Sequence, residues 1–154
     1  MMQKPLRVAI NGFGRIGRLV FRLGFGDPDF EFAAINDLGD PTNLAYLLRR
    51  DSVYGLYNKG GVLEVGNQVI GKATSLAQLA VSGKRVLIFQ EKDPLNLPWS
   101  DLAIDLVVES TGAFFAMKEP LFIFRPAPKG YYLLRPPRMM ILQLVHNKLS
   151  GKQF

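Results

Sequence analysis

Three glycines near the start of the sequence have the spacing of a phosphate-binding loop. Gly12, Gly14 and Gly17 form G-x-G-x-x-G, and Asp37 lies twenty residues after Gly17. Glycines there permit a tight turn after a strand, leave space for a pyrophosphate and let a helix pack closely. A carboxylate such as Asp37 accepts hydrogen bonds from ribose hydroxyls and repels a 2′-phosphate. The pattern therefore predicts a dinucleotide site that takes NAD in preference to NADP.

The elements around these residues must position them. Leu6–Ile10 and Phe30–Ile35 are apolar runs that predict two buried strands, and apolar residues at helical spacing predict a helix over Arg15–Phe25 between them. The N-terminus of that helix would offer N–H groups and the positive end of its dipole to a pyrophosphate. The alternative is a glycine-rich turn in an unrelated α/β protein.

A second helix is predicted after Asp37, and the chain then changes character. Asp40 and Pro41 have the residue types of an N-cap and a first helical position, and Asp51–Gly55 reads as the turn after the helix. Residues 56–92 carry strand-like runs between glycine turns, which predicts an antiparallel insertion.

Within that insertion, Val62–Val65 and Arg85–Phe89 are the clearest strands, whereas Ala73–Val81 fits a helix or a strand. A short helix or turn is predicted between Asp93 and Trp99, and Ile104–Glu109 predicts a further buried strand. The fold class is therefore α/β, with a Rossmann-type, doubly wound, mostly parallel sheet and an antiparallel insertion. The later strands of the sheet are incomplete if the C-terminal tail does not supply them.

Composition narrows the chemistry of this 154-residue chain. There is no cysteine, which excludes disulfides, thiolate metal sites and thiol nucleophiles, and His146 is the single histidine. Ser-His-Asp chemistry would therefore have to pass through that single histidine, and we expect no metal ligand. The sequence begins without a recognisable signal peptide, and no apolar run is long enough to cross a bilayer, so we expect a cytoplasmic protein without a membrane partner.

The net charge of +6 is unevenly distributed. Residues 1–119 are neutral overall, whereas residues 120–154 contain six basic residues and no acidic one. Basic and aromatic residues that could bind single-stranded nucleic acid interleave in this tail: Phe122, Phe124, Arg125, Lys129, Tyr131, Tyr132, Arg135 and Arg138. The alternative hypothesis is therefore that the tail binds nucleic acid or acts as a scaffold. We favour the hypothesis that the tail has no such role.

Five motifs, in order and at fitting spacing, resemble the N-terminal NAD-binding domain of phosphorylating glyceraldehyde-3-phosphate dehydrogenase. They are I-N-G-F-G-R-I-G-R (Ile10–Arg18), A-I-N-D (Ala34–Asp37), D-S-V-Y-G (Asp51–Gly55), F-Q-E-K-D-P (Phe89–Pro94) and V-V-E-S-T-G-A-F (Val107–Phe114). The resemblance covers residues 5–119 and is loosest between 56 and 82. It implies NAD as the cofactor and, because the family is tetrameric, a homo-oligomer or an assembly with full-length family subunits.

The resemblance also implies how the pyrophosphate would be held. Arg15 and Ile16 would contact it through their backbone N–H groups. The loop beneath it would consist of Asn11, Gly12, Phe13 and Gly14.

The remaining positions would follow the cofactor outward from the pyrophosphate. Asp37 would bind the adenosine ribose with Asn36 beside it, and Lys92 would lie on the adenine side. Three residues would lie along the cofactor toward its nicotinamide half: Ser110, Thr111 and Gly112. Alternatively, Lys92 is a solvated surface charge, and the residues after the last strand only cap it.

The sequence departs from the family pattern in its catalytic residues. The family acts through a cysteine thiolate that a histidine of a second domain activates, and this chain has no cysteine. His146 lies in a stretch that resembles the segment just before the family's catalytic residues. We therefore expect a NAD-binding domain over 1–119 and a divergent basic, proline-rich remnant over 120–154. The substrate domain would be absent, and the chain would bind NAD without catalysis.

Residues 129–145 resemble the family least. One choice of codons for Gly130–Pro136, read one base later, encodes Val-Ile-Ile-Ser-Ser-Ala, which is similar to the family's next strand. We interpret this segment as an out-of-frame reading whose frame is restored near His146. Paired small insertions and deletions in the encoding DNA would support that interpretation, and an intact gene whose homologues carry the same tail would contradict it.

Overall fold

The computed structural model describes residues 4–59 and 62–112. Their strands, in chain order, are β1 (Leu6–Asn11), β2 (Phe30–Asn36), β3 (Arg50–Asp51), β4 (Gly55–Leu56), β5 (Val62–Ile70), β6 (Ala73–Val81), β7 (Lys84–Phe89) and β8 (Leu106–Glu109). The helices are α1 (Arg15–Gly24) and α2 (Pro41–Arg49), and a 3-10 turn spans Pro94–Asn96. The predicted strand–helix–strand unit at the N-terminus is confirmed.

Six of the strands form one sheet in the order β5-β6-β7-β2-β1-β8, and β3 pairs separately with β4. The neighbours among β7, β2, β1 and β8 are parallel, whereas β5 and β6 extend the same sheet as an antiparallel hairpin. The α/β fold with a Rossmann-type parallel sheet and an antiparallel insertion is therefore confirmed. Arg85–Phe89, which the sequence predicts within the insertion, instead forms β7 and pairs in parallel with β2. Ala73–Val81, which the sequence left open, is a strand whose alternate residues are buried.

Both faces of the parallel strands are covered. The helices α1 and α2 lie on one face, where Phe21 of α1 packs against Phe13, Phe25 and Phe32. On the other face, the connection from β7 to β8 buries Trp99. Its ring packs edge-on against that of Phe89, with the two ring centroids 6.3 Å apart. Parallel strands covered on both faces are the doubly wound arrangement, and its ligand sites lie at the carboxyl ends of the strands.

The start of α2 follows its sequence signals. Asp40 is the N-cap, and its Oδ1 accepts the backbone N–H of Asn43 at 3.0 Å, while Pro41 occupies the first helical position. Among residues 4–59 and 62–112, no helix is long and apolar enough to cross a membrane. The predictions for the basic tail, for His146 and for the out-of-frame segment lie outside the described residues.

Candidate dinucleotide-binding site

Two of the three glycines after β1 are required by the fold itself. Gly12 has a φ of +91°, and a Cβ on it would lie 2.5 Å from the backbone nitrogen of Thr111. A Cβ on Gly17 would overlap the carbonyl oxygen of Gly12. Gly12 thus permits the turn after β1, and Gly17 lets α1 pack against that turn, as the sequence predicts.

Gly14 differs from the other two because nothing among residues 4–59 and 62–112 requires it to be glycine. Its φ is −72°, which any residue adopts, and a Cβ on it would meet no heavy atom of the described residues within 4 Å. Gly14 is also the N-cap of α1 and has no side chain to cap the first turn, which holds no acidic residue. The helix therefore begins beside open space, with backbone N–H groups suited to an anion.

Asp37 connects the loop after β2 to the loop after β1. Its Oδ2 accepts the backbone N–H of Phe13 at 2.6 Å, and its Oδ1 accepts that of Gly39 at 2.8 Å. The side chain is half-buried. An ionised carboxylate has about four acceptor positions, so each oxygen retains one for a further donor. The acid is thus held in one orientation while it keeps acceptor positions for a ribose hydroxyl.

The side chain of Phe13 belongs to the core, so this residue faces the site only through its backbone. The residue is 1% exposed, and its ring centroid lies 5.7 Å from that of Phe21. Its carbonyl oxygen accepts a hydrogen bond from Nη1 of Arg18 at 3.0 Å. Burial lowers the pKa of the Arg18 guanidinium, an effect that the carboxylate of Asp51 partly offsets.

Ser110 holds the glycine turn from the other side. Its backbone N–H donates to the carbonyl of Asn11 at 2.7 Å, and its hydroxyl donates to that of Gly12 at 2.6 Å. Thr111 and Gly112 follow as exposed residues, and Gly112 has a φ of +75°. The structure therefore brings the end of β8 against the glycine turn, as expected for neighbouring parallel strands.

The amide side chains of Asn11 and Asn36 are buried under the site. They are 6% and 5% exposed, and Nδ2 of Asn36 donates to Oδ1 of Asn11 at 2.8 Å. Asn36 also donates to the carbonyl of Glu91 at 2.9 Å and accepts its N–H at 2.8 Å. Lys92 is next in the chain and is exposed. The two asparagines thus connect the strand ends, whereas Lys92 is open to solvent.

Two acidic residues at this edge were missed by the sequence reasoning. Glu109 is the last residue of β8 and hydrogen-bonds to Asn11 and Thr111, and Glu91 holds Asn36 through its backbone. A signal existed for Glu109, because an acid that ends a buried strand at its carboxyl end lies at the ligand edge of the sheet. Within the described ranges, no three His, Cys, Asp or Glu residues are grouped as a metal site.

The sequence has relatives over most of its length. Residues 6–117 match the family model of the glyceraldehyde 3-phosphate dehydrogenase NAD binding domain. The glyceraldehyde-3-phosphate dehydrogenase of Mycoplasma pneumoniae is 41% identical over 149 residues, which are 97% of this chain and 41% of that protein. The glyceraldehyde-3-phosphate dehydrogenase of Thermotoga maritima is 49% identical over 110 residues, which are 70% of this chain and 30% of that protein. The cytosolic enzyme of Leishmania mexicana is 34% identical over 151 residues, or 96% and 42%.

The chain spans less than half the length of these relatives. The family model nevertheless covers most of the chain, including β1, the glycine loop, Asp37 and the end of β8. The chain therefore belongs to the glyceraldehyde 3-phosphate dehydrogenase family and carries its NAD-binding domain.

Proposed function

We propose that NAD binds at the carboxyl ends of β1, β2 and β8. The pyrophosphate would lie at the N-terminus of α1 against the backbone of Arg15 and Ile16, and Asp37 would accept the hydroxyls of the adenosine ribose. Gly14 carries this proposal, because neither its φ nor its neighbours require glycine, and open space beside a helix N-terminus fits a pyrophosphate.

The other predicted site residues would act at two levels. Four residues would support the cofactor from beneath, because their side chains or backbone already make hydrogen bonds or close contacts within the protein: Asn11, Gly12, Phe13 and Asn36. Lys92 would lie on the adenine side of the cofactor, where its side chain is exposed to solvent. The residues that would follow the cofactor toward its nicotinamide half are Ser110, Thr111 and Gly112.

We also propose that the chain is the cofactor-binding portion of an oxidoreductase that oxidises glyceraldehyde 3-phosphate with phosphorylation. The names of its relatives support this activity for the whole protein. The printed sequence contains no cysteine, so it cannot form the thiol-linked acyl intermediate that the family resemblance implies. By itself, the chain would bind NAD without catalysis.

The domain division and the cellular context are part of the same proposal. The NAD-binding domain would span 1–119, close to the matched range of 6–117, and residues 120–154 would be a remnant of the later strands. Alignments over 97% and 96% of this chain extend into that tail and support its origin within the family. We propose a cytoplasmic location from the relatives named as cytosolic, and homo-oligomers or assemblies with full-length family subunits as the partners.

Calorimetric titration of the full chain with NAD tests the site. We expect saturable binding that Gly14→Ala weakens by at least about tenfold, because a methyl group would occupy the space of the pyrophosphate. Gly66→Ala is the matched control, since Gly66 also has open space around its Cβ position but lies on β5, in the antiparallel hairpin. A folded wild-type chain that binds no NAD at millimolar concentration would contradict the proposal, as would equal affinities for the two variants.

A further inference from the structure

Polar side chains form one continuous hydrogen-bonded network along the carboxyl edge of the sheet. We call it the edge network, and it connects Glu91, Asn36, Asn11, Glu109 and Thr111 across the ends of β7, β2, β1 and β8. Nδ2 of Asn11 donates to Oε2 of Glu109 at 2.6 Å, and Oε1 of Glu109 accepts the N–H of Thr111 at 2.8 Å and its hydroxyl. The network ends in the residues that follow β8, directly beside the glycine turn.

The backbone of Glu91 sets the direction of the hydrogen bonds in the network. Its N–H must meet the oxygen of the Asn36 amide, and its carbonyl must meet the nitrogen of that amide. Asn36 therefore presents an N–H to Asn11, which accepts it with Oδ1 and directs its own N–H groups toward residue 109. The orientations of the two buried amides leave only an acceptor as a suitable partner at that position.

Residue 109 must also accept from its other side, where Thr111 presents two donors. An ionised carboxylate accepts on both oxygens, whereas an amide of the same shape accepts on one and donates on the other. The hydrogen bonds of the network therefore require glutamate at this position, because both of its oxygens must accept. Packing alone would fit glutamine equally well.

We propose that Glu109 is a positioning residue that holds the Ser110–Gly112 segment in place for the nicotinamide half of the cofactor. This inference rests on the proposed NAD site, because that segment would follow the cofactor beyond the pyrophosphate. Glu109 would not contact NAD itself. It would act through Thr111. Asp37, on the adenosine side, makes no hydrogen bond with Glu109, since its carboxylate accepts from Phe13 and Gly39.

Glu109→Gln tests this role because it keeps the shape of the side chain and removes one acceptor. The single remaining oxygen should pair with Asn11, which is buried, so the N–H and hydroxyl of the exposed Thr111 should lose their hydrogen bonds to residue 109. We expect the affinity for NAD to fall by about tenfold and that for ADP-ribose, which lacks nicotinamide, to stay within about twofold. A general loss of folding would weaken both ligands together.

The double variant Asn11→Asp with Glu109→Gln restores the complementary pattern of hydrogen bonds. The new acid at position 11 can accept from Asn36 and from the new amide at 109, whose oxygen can then accept from Thr111. We expect it to bind NAD at least about threefold more tightly than Glu109→Gln does. The control is Glu64→Gln, which removes an exposed carboxylate on β5 that pairs with Arg85 at 3.1 Å.

Amide hydrogen exchange tests the same geometry without any ligand. We expect the N–H of Thr111 to exchange at least about tenfold faster in Glu109→Gln, with β-strand amides unchanged, and to recover in the double variant. Unchanged exchange at Thr111, equal losses for NAD and ADP-ribose, or a double variant no better than Glu109→Gln would each overturn the inference. If the wild type binds neither ligand, the proposed NAD site itself fails, and the inference fails with it.

Discussion

The carboxylate of Asp37 accepts the backbone N–H of Phe13 at 2.6 Å. One acidic side chain thereby fixes the loop after β1 to the loop after β2, at the position where we propose that the adenosine ribose binds. Because its other oxygen accepts from Gly39, the position of the carboxylate is set before any ligand arrives. Preorganisation of this kind reduces the entropy that binding must otherwise cost.

Asp37→Asn should change both the affinity and the preference of the site. We expect NAD binding to weaken by about tenfold, because an amide accepts on one side only and carries no charge. NADP should lose less or gain, since the repulsion of its 2′-phosphate is removed. Parallel calorimetric titrations with NAD and NADP measure both effects.

Asp40→Asn is the control for this change. It removes the same charge three residues away, and asparagine caps a helix as well as aspartate does. Its affinities should match those of the wild type. If Asp37→Asn leaves the ratio of NAD to NADP affinity unaltered, Asp37 does not select the cofactor.

Ser110→Ala should loosen the glycine turn. The hydroxyl of Ser110 donates to the carbonyl oxygen of Gly12 at 2.6 Å, and its loss should lower the free energy of unfolding by about 1 kcal/mol. We also expect NAD to bind several-fold more weakly, because the turn supports the pyrophosphate site. Urea unfolding and NAD titration give the two values. Ser100→Ala, an exposed substitution in the connection to β8, should change neither, and identical behaviour of the two variants would argue against a role for the hydroxyl.

Gly17→Ala should destabilise the fold more than Gly14→Ala does. A methyl group on Gly17 would overlap the carbonyl oxygen of Gly12, a backbone atom that cannot move without displacing the turn. Overpacking of this kind costs about 1–3 kcal/mol. At Gly14 the added methyl meets open space, so the cost should stay below about 1 kcal/mol. Urea unfolding without NAD compares the two, and equal stabilities would contradict the different roles assigned to these glycines.

Local patterns were sufficient to predict the N-terminal half of this fold. The strand Leu6–Asn11, the glycine turn and the helix that follows are adjacent in sequence, so their residue types determine the structure directly. Ala73–Val81 could not be assigned, because its small and apolar residues suit both a helix and a strand. Its state depends on pairing with β5 and β7, which is a contact between elements rather than a property of the segment.

The edge network shows why the site was only partly predictable. Asn11, Asn36 and Glu109 come from three strands, and they meet only because the strand order places β1 between β2 and β8. The family resemblance implied that Asn36 lies beside Asp37 at the ribose, whereas the structure buries its side chain in hydrogen bonds to Asn11 and Glu91. Its contact with NAD stays a prediction.

Tyr57 should make the stability of the domain depend on pH in the alkaline range. The guanidinium carbon of Arg22 lies 5.4 Å from its ring centroid, and its hydroxyl is buried without a hydrogen-bond partner among the described residues. Burial raises the pKa of Tyr57 to about 12, although Arg22 acts in the opposite direction. The unfolded chain loses this proton near pH 10, where the folded chain still retains it, so stability should fall between about pH 10 and 12.

Tyr57→Phe should remove this contribution while it keeps the ring against Phe21 and Arg22. At pH 7 the variant should be as stable as the wild type or up to about 1 kcal/mol more stable, because it no longer buries an unpaired hydroxyl. Above pH 10, urea unfolding should show the wild type losing stability faster than the variant. Tyr54→Phe removes an exposed phenol and serves as the control. If the wild type and Tyr57→Phe lose stability in parallel from about pH 10 to 12, the interval between the two ionisations, the hydroxyl of Tyr57 ionises as readily in the folded chain as in the unfolded one.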